Sequence, residues 1–134
     1  MKKKMLSVFA LAIALSGLIW VQQAAAFEMT TDISNFSGAT ATVEIYAKSA
    51  TGSATRYSSR SIPNATTQTT TFHSLTGVCP SYLTGTVGNV AITQMTCSGA
   101  ESSSTSERCC ANLKFSVYKK PDGTYHFART LDMN

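Results

Sequence analysis

The chain has 134 residues with 11 basic and seven acidic side chains, a nominal charge of +4, and four cysteines. Three of those basic residues are Lys2-Lys3-Lys4, ahead of an uncharged apolar run from Met5 to Val21 and then Ala24-Ala25-Ala26. Without the first 26 residues, eight basic side chains face seven acidic ones, so nothing in the charge balance argues for nucleic acid or an anionic membrane surface as partner.

A positive start, an apolar stretch and a small-residue end are the pattern of a secretory signal peptide, with cleavage expected after Ala26. An uncleaved anchor is the alternative, but the run falls short of the roughly 20 residues a spanning helix needs. No cysteine follows it to carry a lipid. The tri-lysine start and alanine-rich end have a bacterial character. The expectation is a periplasmic or secreted protein, with no membrane insertion after cleavage. Residues 27–134 are long enough for one domain and too short for two. Ser and Thr fill 34 of those 108 positions, so the core is thin, and thin cores in exported domains are commonly supported by disulfides.

Along the mature part, Phe27 to Phe36 reads as a first strand, with Met29, Thr31 and Ile33 on one parity. Ala41, Val43, Ile45 and Ala47 alternate with Thr42, Glu44, Tyr46 and Lys48, a clear period-two strand. A Ser37-Gly38-Ala39 loop would make these two strands a hairpin, with Ile33 opposite Val43 and Thr31 opposite Ile45. Thr55 to Ile62 and Thr66 to Phe72 read as strands three and four, separated by Pro63-Asn64. Thr suits them because its branched side chain packs on a pleated surface. Gly77 to Gly88 carries Pro80, Gly85 and Gly88 and is expected to be irregular, while Asn89 to Cys97 is another strand. Ser98 to Arg108 contains the run Glu101–Glu107, which offers no apolar residue to bury, and reads as a solvated loop.

The strongest local signal is Lys120-Pro121-Asp122-Gly123-Thr124 between two alternating runs. Pro presets the first turn position, Asp bonds nearby backbone, and Gly takes the left-handed conformation that closes a three-residue hairpin loop. Lys120 then pairs with Thr124, and counting back sets Lys119 with Tyr125, Val117 with Phe127, Phe115 with Arg129 and Leu113 with Leu131. A one-residue slip would scatter these apolar side chains across both faces. Arg129 is the misfit on that face, expected at the rim with its stem on Phe115. Tyr118 and His126 fall on the opposite, outward face.

Six or seven short strands with no helical periodicity predict an all-β fold: a small antiparallel β-sandwich of Ig-like type, or else a partly open β-barrel. Four cysteines in the exported part predict two disulfides. Joining the neighbours Cys109 and Cys110 needs a strained ring, so each is expected to take one of Cys79 and Cys97, in either order. In the hairpin parity Cys109 points inward and Cys110 outward. A zinc site or a redox dithiol would need a C-x-x-C spacing that is missing, so no metal or cofactor is expected.

No motif for phosphate, dinucleotide or calcium binding is present, nor is G-x-S-x-G. The acids are isolated, and both glycosylation sequons, at Asn35 and Asn64, are of a kind that arises by chance in so Ser/Thr-rich a chain. What remains suits surface binding. Tyr46 and Tyr118 are outward tyrosines, His126 sits beside Tyr118, and Glu101 and Arg108 lie in the loop closed by cysteines; these five are the candidate binding residues. The reading is an exported, non-enzymatic binding or structural module of the bacterial envelope, recognising a protein or glycan partner. The alternatives are a small secreted hydrolase inhibitor presenting the Ser98–Arg108 loop or the Pro121–Gly123 turn, and a small secreted hydrolase using His73 or His126.

Overall fold

The computed structural model describes residues 28–73 and 76–130; the expected signal peptide and its cleavage site lie outside the described residues. Eight strands follow one another: β1 Glu28–Asn35, β2 Ala41–Lys48, β3 Thr55–Ile62, β4 Thr67–His73, β5 Cys79–Val87, β6 Val90–Thr96, β7 Leu113–Lys119 and β8 Tyr125–Arg129. They form one continuous sheet in the order β3-β2-β5-β6-β8-β7-β1-β4. The sheet curls until its edges β3 and β4 come close, giving a nearly closed barrel. The all-β class and the two disulfides are therefore as expected, and the partly open barrel describes the sheet. The strands number eight rather than six or seven, and the sheet is mixed. Five ladders are antiparallel, while β1–β7 and β6–β8 are parallel.

The carboxy-terminal hairpin keeps the register its turn dictates. Val117 opposes Phe127, Phe115 opposes Arg129 and Lys119 opposes Tyr125, with Lys120 and Thr124 closing the turn through a 2.8 Å backbone bond. The pair Leu113–Leu131 lies outside the described residues. Leu113, Phe115, Val117 and Phe127 are buried and, with Met29, Ile33, Val43, Ile45, Phe72 and Leu83, fill the barrel. Each such side chain contributes roughly 1.5–3 kcal/mol on burial.

The expected β1–β2 hairpin does not form. β1 runs between β4 and β7, so Ile33 lies beside Gln68 and Phe115, while β2 runs between β3 and β5 and places Val43 beside Arg60 and Gly85. Alternation sends Ile33 and Val43 to the core in either arrangement, so it carries no information about partners.

The second correction is Gly77–Gly88, which is ordered strand for most of its length. Gly85 is needed there because a Cβ would lie 2.4 Å from the Thr42 carbonyl oxygen and 3.1 Å from Ile92 Cδ1. Gly88, at φ +58°, opens the two-residue turn that pairs Val87 with Val90. Pro80 is tolerated beside a register shift between Tyr46 and Ala47.

Two bridges fasten this half to the hairpin: Cys79–Cys110 and Cys97–Cys109. Cys109 packs against the core beside buried Cys97, and Cys110 is exposed, which follows from the opposite directions of adjacent side chains. Such bridges mark an oxidising environment. Among the described residues no helix is long and apolar enough to cross a membrane.

Candidate functional site

Glu101, Tyr118 and His126 meet; Tyr46 and Arg108 lie elsewhere. His126 is 8% exposed rather than on an open outer face, because the Cys97–Cys109 loop folds over it. Its Nδ1 lies 2.5 Å from Glu101 Oε1, and Nε2 lies 2.8 Å from Thr124 Oγ1. Thr124 donates its hydroxyl proton to Asp122 Oδ1 at 2.6 Å, so towards the ring it can only accept. That bond and one from the Thr124 backbone hold the Asp122 carboxyl below its usual range. The order carboxylate–imidazole–hydroxyl is that of a hydrolytic relay, but a relay needs the hydroxyl to donate to the ring. Both ring nitrogens are engaged internally, and the chain Glu101–His126–Thr124–Asp122 works as a staple between loop and turn.

Further bonds complete the staple. Ser98 donates to Glu107 through its hydroxyl (2.9 Å) and its backbone N–H (3.2 Å), and the former above all holds the Glu107 carboxyl below its ordinary value. Arg129 is half-buried and donates to the Ser98 carbonyl at 3.2 Å. A shallow depression of about 450 Å³ remains between Ser98, Glu101, Tyr118 and Arg129. Cys97, Glu107 and Cys109 also place ligand-type atoms within 4.8 Å of one another, but the two sulfurs are bonded to each other and offer no thiolate.

Tyr46 stacks on its cross-strand neighbour Tyr82, ring centroids 4.4 Å apart, and donates to Glu44 Oε2 at 3.1 Å. That carboxylate pushes the Tyr46 phenol above its usual range, and burial does the same for Tyr82. Arg56 pairs with Glu44 at 3.4 Å, so this patch is largely satisfied within itself. Arg108 is exposed and donates to the Gly77 carbonyl at 3.3 Å. His73 ends β4, with Nδ1 3.4 Å from Glu28 Oε1. Because Thr31 lies beside Leu113 on parallel β7, Glu28 and His73 stand at one end of that line and His126 at the other, roughly 25 Å away at about 3.3 Å per residue. The two histidines share no cleft.

A fourth place has groups left to offer. Phe36, the last residue of the first strand read from the sequence, is 63% exposed. It borders a groove of about 340 Å³ with Asp32, Ser34, Thr67, Lys114, Ser116 and Thr130. Parallel pairing of β1 with β7 builds this wall, setting Asp32 beside Lys114 and Ser34 beside Ser116. The hydroxyls of Ser116 and Thr130 make no side-chain hydrogen bond among the described residues. Thr69 donates to Asp32 Oδ1 at 2.7 Å and leaves Oδ2 open.

The backbone at Phe36 is anchored on both sides. Its N–H donates to the Val117 carbonyl at 2.8 Å, and the residue before it, Asn35, is fully buried. Asn35 Nδ2 donates to the carbonyls of Ala39 (2.7 Å) and Ile62 (2.8 Å), while Oδ1 accepts from the Ser37 N–H at 3.0 Å. The Asn35 sequon is therefore sealed in the folded chain. Phe36 falls on the parity opposite Met29, Thr31 and Ile33, so alternation already points it outward; the β1–β7 pairing that builds the groove beside it leaves no such mark in the sequence.

No protein-family model, characterised protein or solved structure matches this chain.

Proposed function

We propose that this chain is an exported, non-enzymatic binding module of the periplasm or extracellular space of a bacterium, and that it recognises a saccharide unit in the Phe36 groove. One observation carries the reading: a large aromatic ring, 63% exposed and next in the chain to a buried asparagine, borders a groove with unengaged hydroxyls. Leaving such a ring in water costs the folded chain apolar burial that a ligand can restore. A pyranose presents an apolar C–H face to a ring and hydroxyls to Asp32 Oδ2, Ser116 and Thr130. The groove is at the small end of ligand-site volumes, enough for one sugar unit of a longer glycan. Rigid presentation reduces the ordering cost of binding.

The test is a glycan array followed by titration of the best ligand against wild type and Phe36→Ala, which leaves the core intact. We expect at least about a tenfold loss of affinity in the variant, or roughly 1.4 kcal/mol. Binding that is indifferent to Phe36→Ala, or no glycan bound at millimolar concentration, would refute the reading.

A second reading, a secreted hydrolase inhibitor, is supported by the loop closed by Cys97–Cys109 and pinned through Glu101 and Glu107. Inhibition of a hydrolase panel that disappears when residues 102–106 are replaced by a Gly-Ser linker, with the fold retained, would favour it over the glycan reading.

A further inference from the structure

The sheet stops one ladder short of closure. Its edges β3 and β4 follow each other in sequence across the short link 63–66, yet no ladder joins them. Tyr57 reaches across the opening. Tyr57 of β3 stacks on Phe72 of β4, centroids 4.2 Å apart, and its hydroxyl donates to the Thr71 carbonyl at 3.1 Å. A phenol thus occupies an edge acceptor that a backbone N–H would ordinarily take.

The residues along the opening are unusual for a closed barrel. The β2–β3 register sets Ile62 opposite Ala41, Arg60 opposite Val43 and Ser58 opposite Ile45, all partners that are buried. Arg60 therefore has core-facing parity, but it is exposed and has no partner among the described residues. The buried hydroxyls of Ser58 on β3 and of Thr31, which lies opposite Thr70 of β4, have no hydrogen-bond partner among the described residues. An open edge of unpaired backbone groups is a template for another strand.

We infer that an extended segment of a partner protein adds along β3 as a ninth strand and fills the β3–β4 opening, with an acidic side chain against Arg60. A second copy of this chain is a poor occupant. Its β3 edge would bring Arg56 and Arg60 against their own equivalents, and β4, Thr67–His73, contains no acid. The inference is independent of the Phe36 groove, which lies on the outer face of β1 and β7.

The test uses two synthetic peptides, acetyl-Thr-Glu-Val-Thr-Val-Glu-Thr-amide and its counterpart with Lys for both Glu, titrated into the full chain by amide NMR. The acidic peptide should shift and protect amides of residues 55–62 and 67–73, and should bind about twofold to fivefold more tightly than the basic one, the range of an exposed ion pair. Arg60→Glu should reverse that preference. Tyr57→Phe, which frees the Thr71 carbonyl while keeping the ring, should bind the acidic peptide more tightly than wild type. The inference is overturned if the acidic peptide leaves β3 and β4 unperturbed, if both peptides bind equally, or if the chain dimerises through β3 on its own.

Discussion

Asn35 offers the sharpest perturbation of the fold. It is fully buried, and its side chain makes three hydrogen bonds, to the Ala39 and Ile62 carbonyls and from the Ser37 N–H. Truncation to Ala takes one hydrogen bond from each of those three groups, the Ala39 carbonyl keeping the one from the Ser37 hydroxyl. At roughly 1 kcal/mol for each lost bond, Asn35→Ala should destabilise the chain by about 3 kcal/mol. For a domain of this size that lowers the melting temperature by roughly 12–20 °C. Asn35→Asp has nearly the same shape but replaces two donors with a carboxylate facing two carbonyl oxygens. At neutral pH it should be worse than Ala, since a buried unpaired charge adds to the lost bonds. Burial and those oxygens raise the folded-state pKa of the introduced carboxyl above its unfolded value. The charge penalty is therefore full above the folded pKa, shrinks as pH falls through it, and vanishes below the unfolded value near about 3.9. Urea denaturation of both variants from pH 7 to pH 3 measures this. If Asn35→Ala costs under about 0.5 kcal/mol, or Asn35→Asp shows no pH-dependent deficit relative to it, the account of Asn35 as the buried anchor of residues 37–39 and Ile62 is wrong.

Three further outcomes follow from the same geometry. Gly85→Ala should cost about 1–3 kcal/mol, because the new Cβ meets the Thr42 carbonyl at 2.4 Å and β2 and β5 must part locally; thermal denaturation reads it. Removing Cys79–Cys110, which spans 31 residues, should cost about 3.7 kcal/mol by loop-closure entropy, against about 2.8 kcal/mol for the 12-residue Cys97–Cys109 span; double Cys→Ala variants in urea would show the order. Glu107 has a folded pKa lowered by Ser98, so its contribution is full above the usual value of 4.5 and is lost as pH falls through the depressed one. Glu107→Gln should flatten that part of the acid-stability profile, and Ser98→Ala should flatten it in the same way.

Much of the fold is local and legible as such. The Pro121-Asp122-Gly123 turn sets the β7–β8 register because turn type fixes which residues oppose each other. β3 follows its predicted limits, since Pro63 ends it. β5 is hidden from pattern reading because Gly and Pro ordinarily punctuate strands; here Gly85 serves a close backbone approach that only the neighbouring strand reveals. The candidate site is less legible. Glu101, Tyr118 and His126 stand out in the sequence, and they do meet, but the loop covers His126 on its outward face and both its nitrogens are satisfied. Phe36 ends the first strand on its outward parity and is the most exposed large apolar side chain among the described residues, but nothing in the sequence marks the groove beside it.

The alternation of side chains, the number of cysteines and the turn chemistry by themselves determined an all-β chain with two bridges, the face each strand residue takes, and one hairpin in register. Which strands become neighbours was decided only in three dimensions. Period two specifies a face but is silent about partners, so β1 meets β7 and β4 instead of β2 for reasons spread over 80 residues of separation, such as the Thr30 N–H bonded to Asn112 Oδ1. The same distant pairings choose between the two cysteine connectivities, bury a histidine, build the groove beside Phe36 and leave the β3–β4 edge open, because each depends on what lies across a ladder and not on what lies next along the chain.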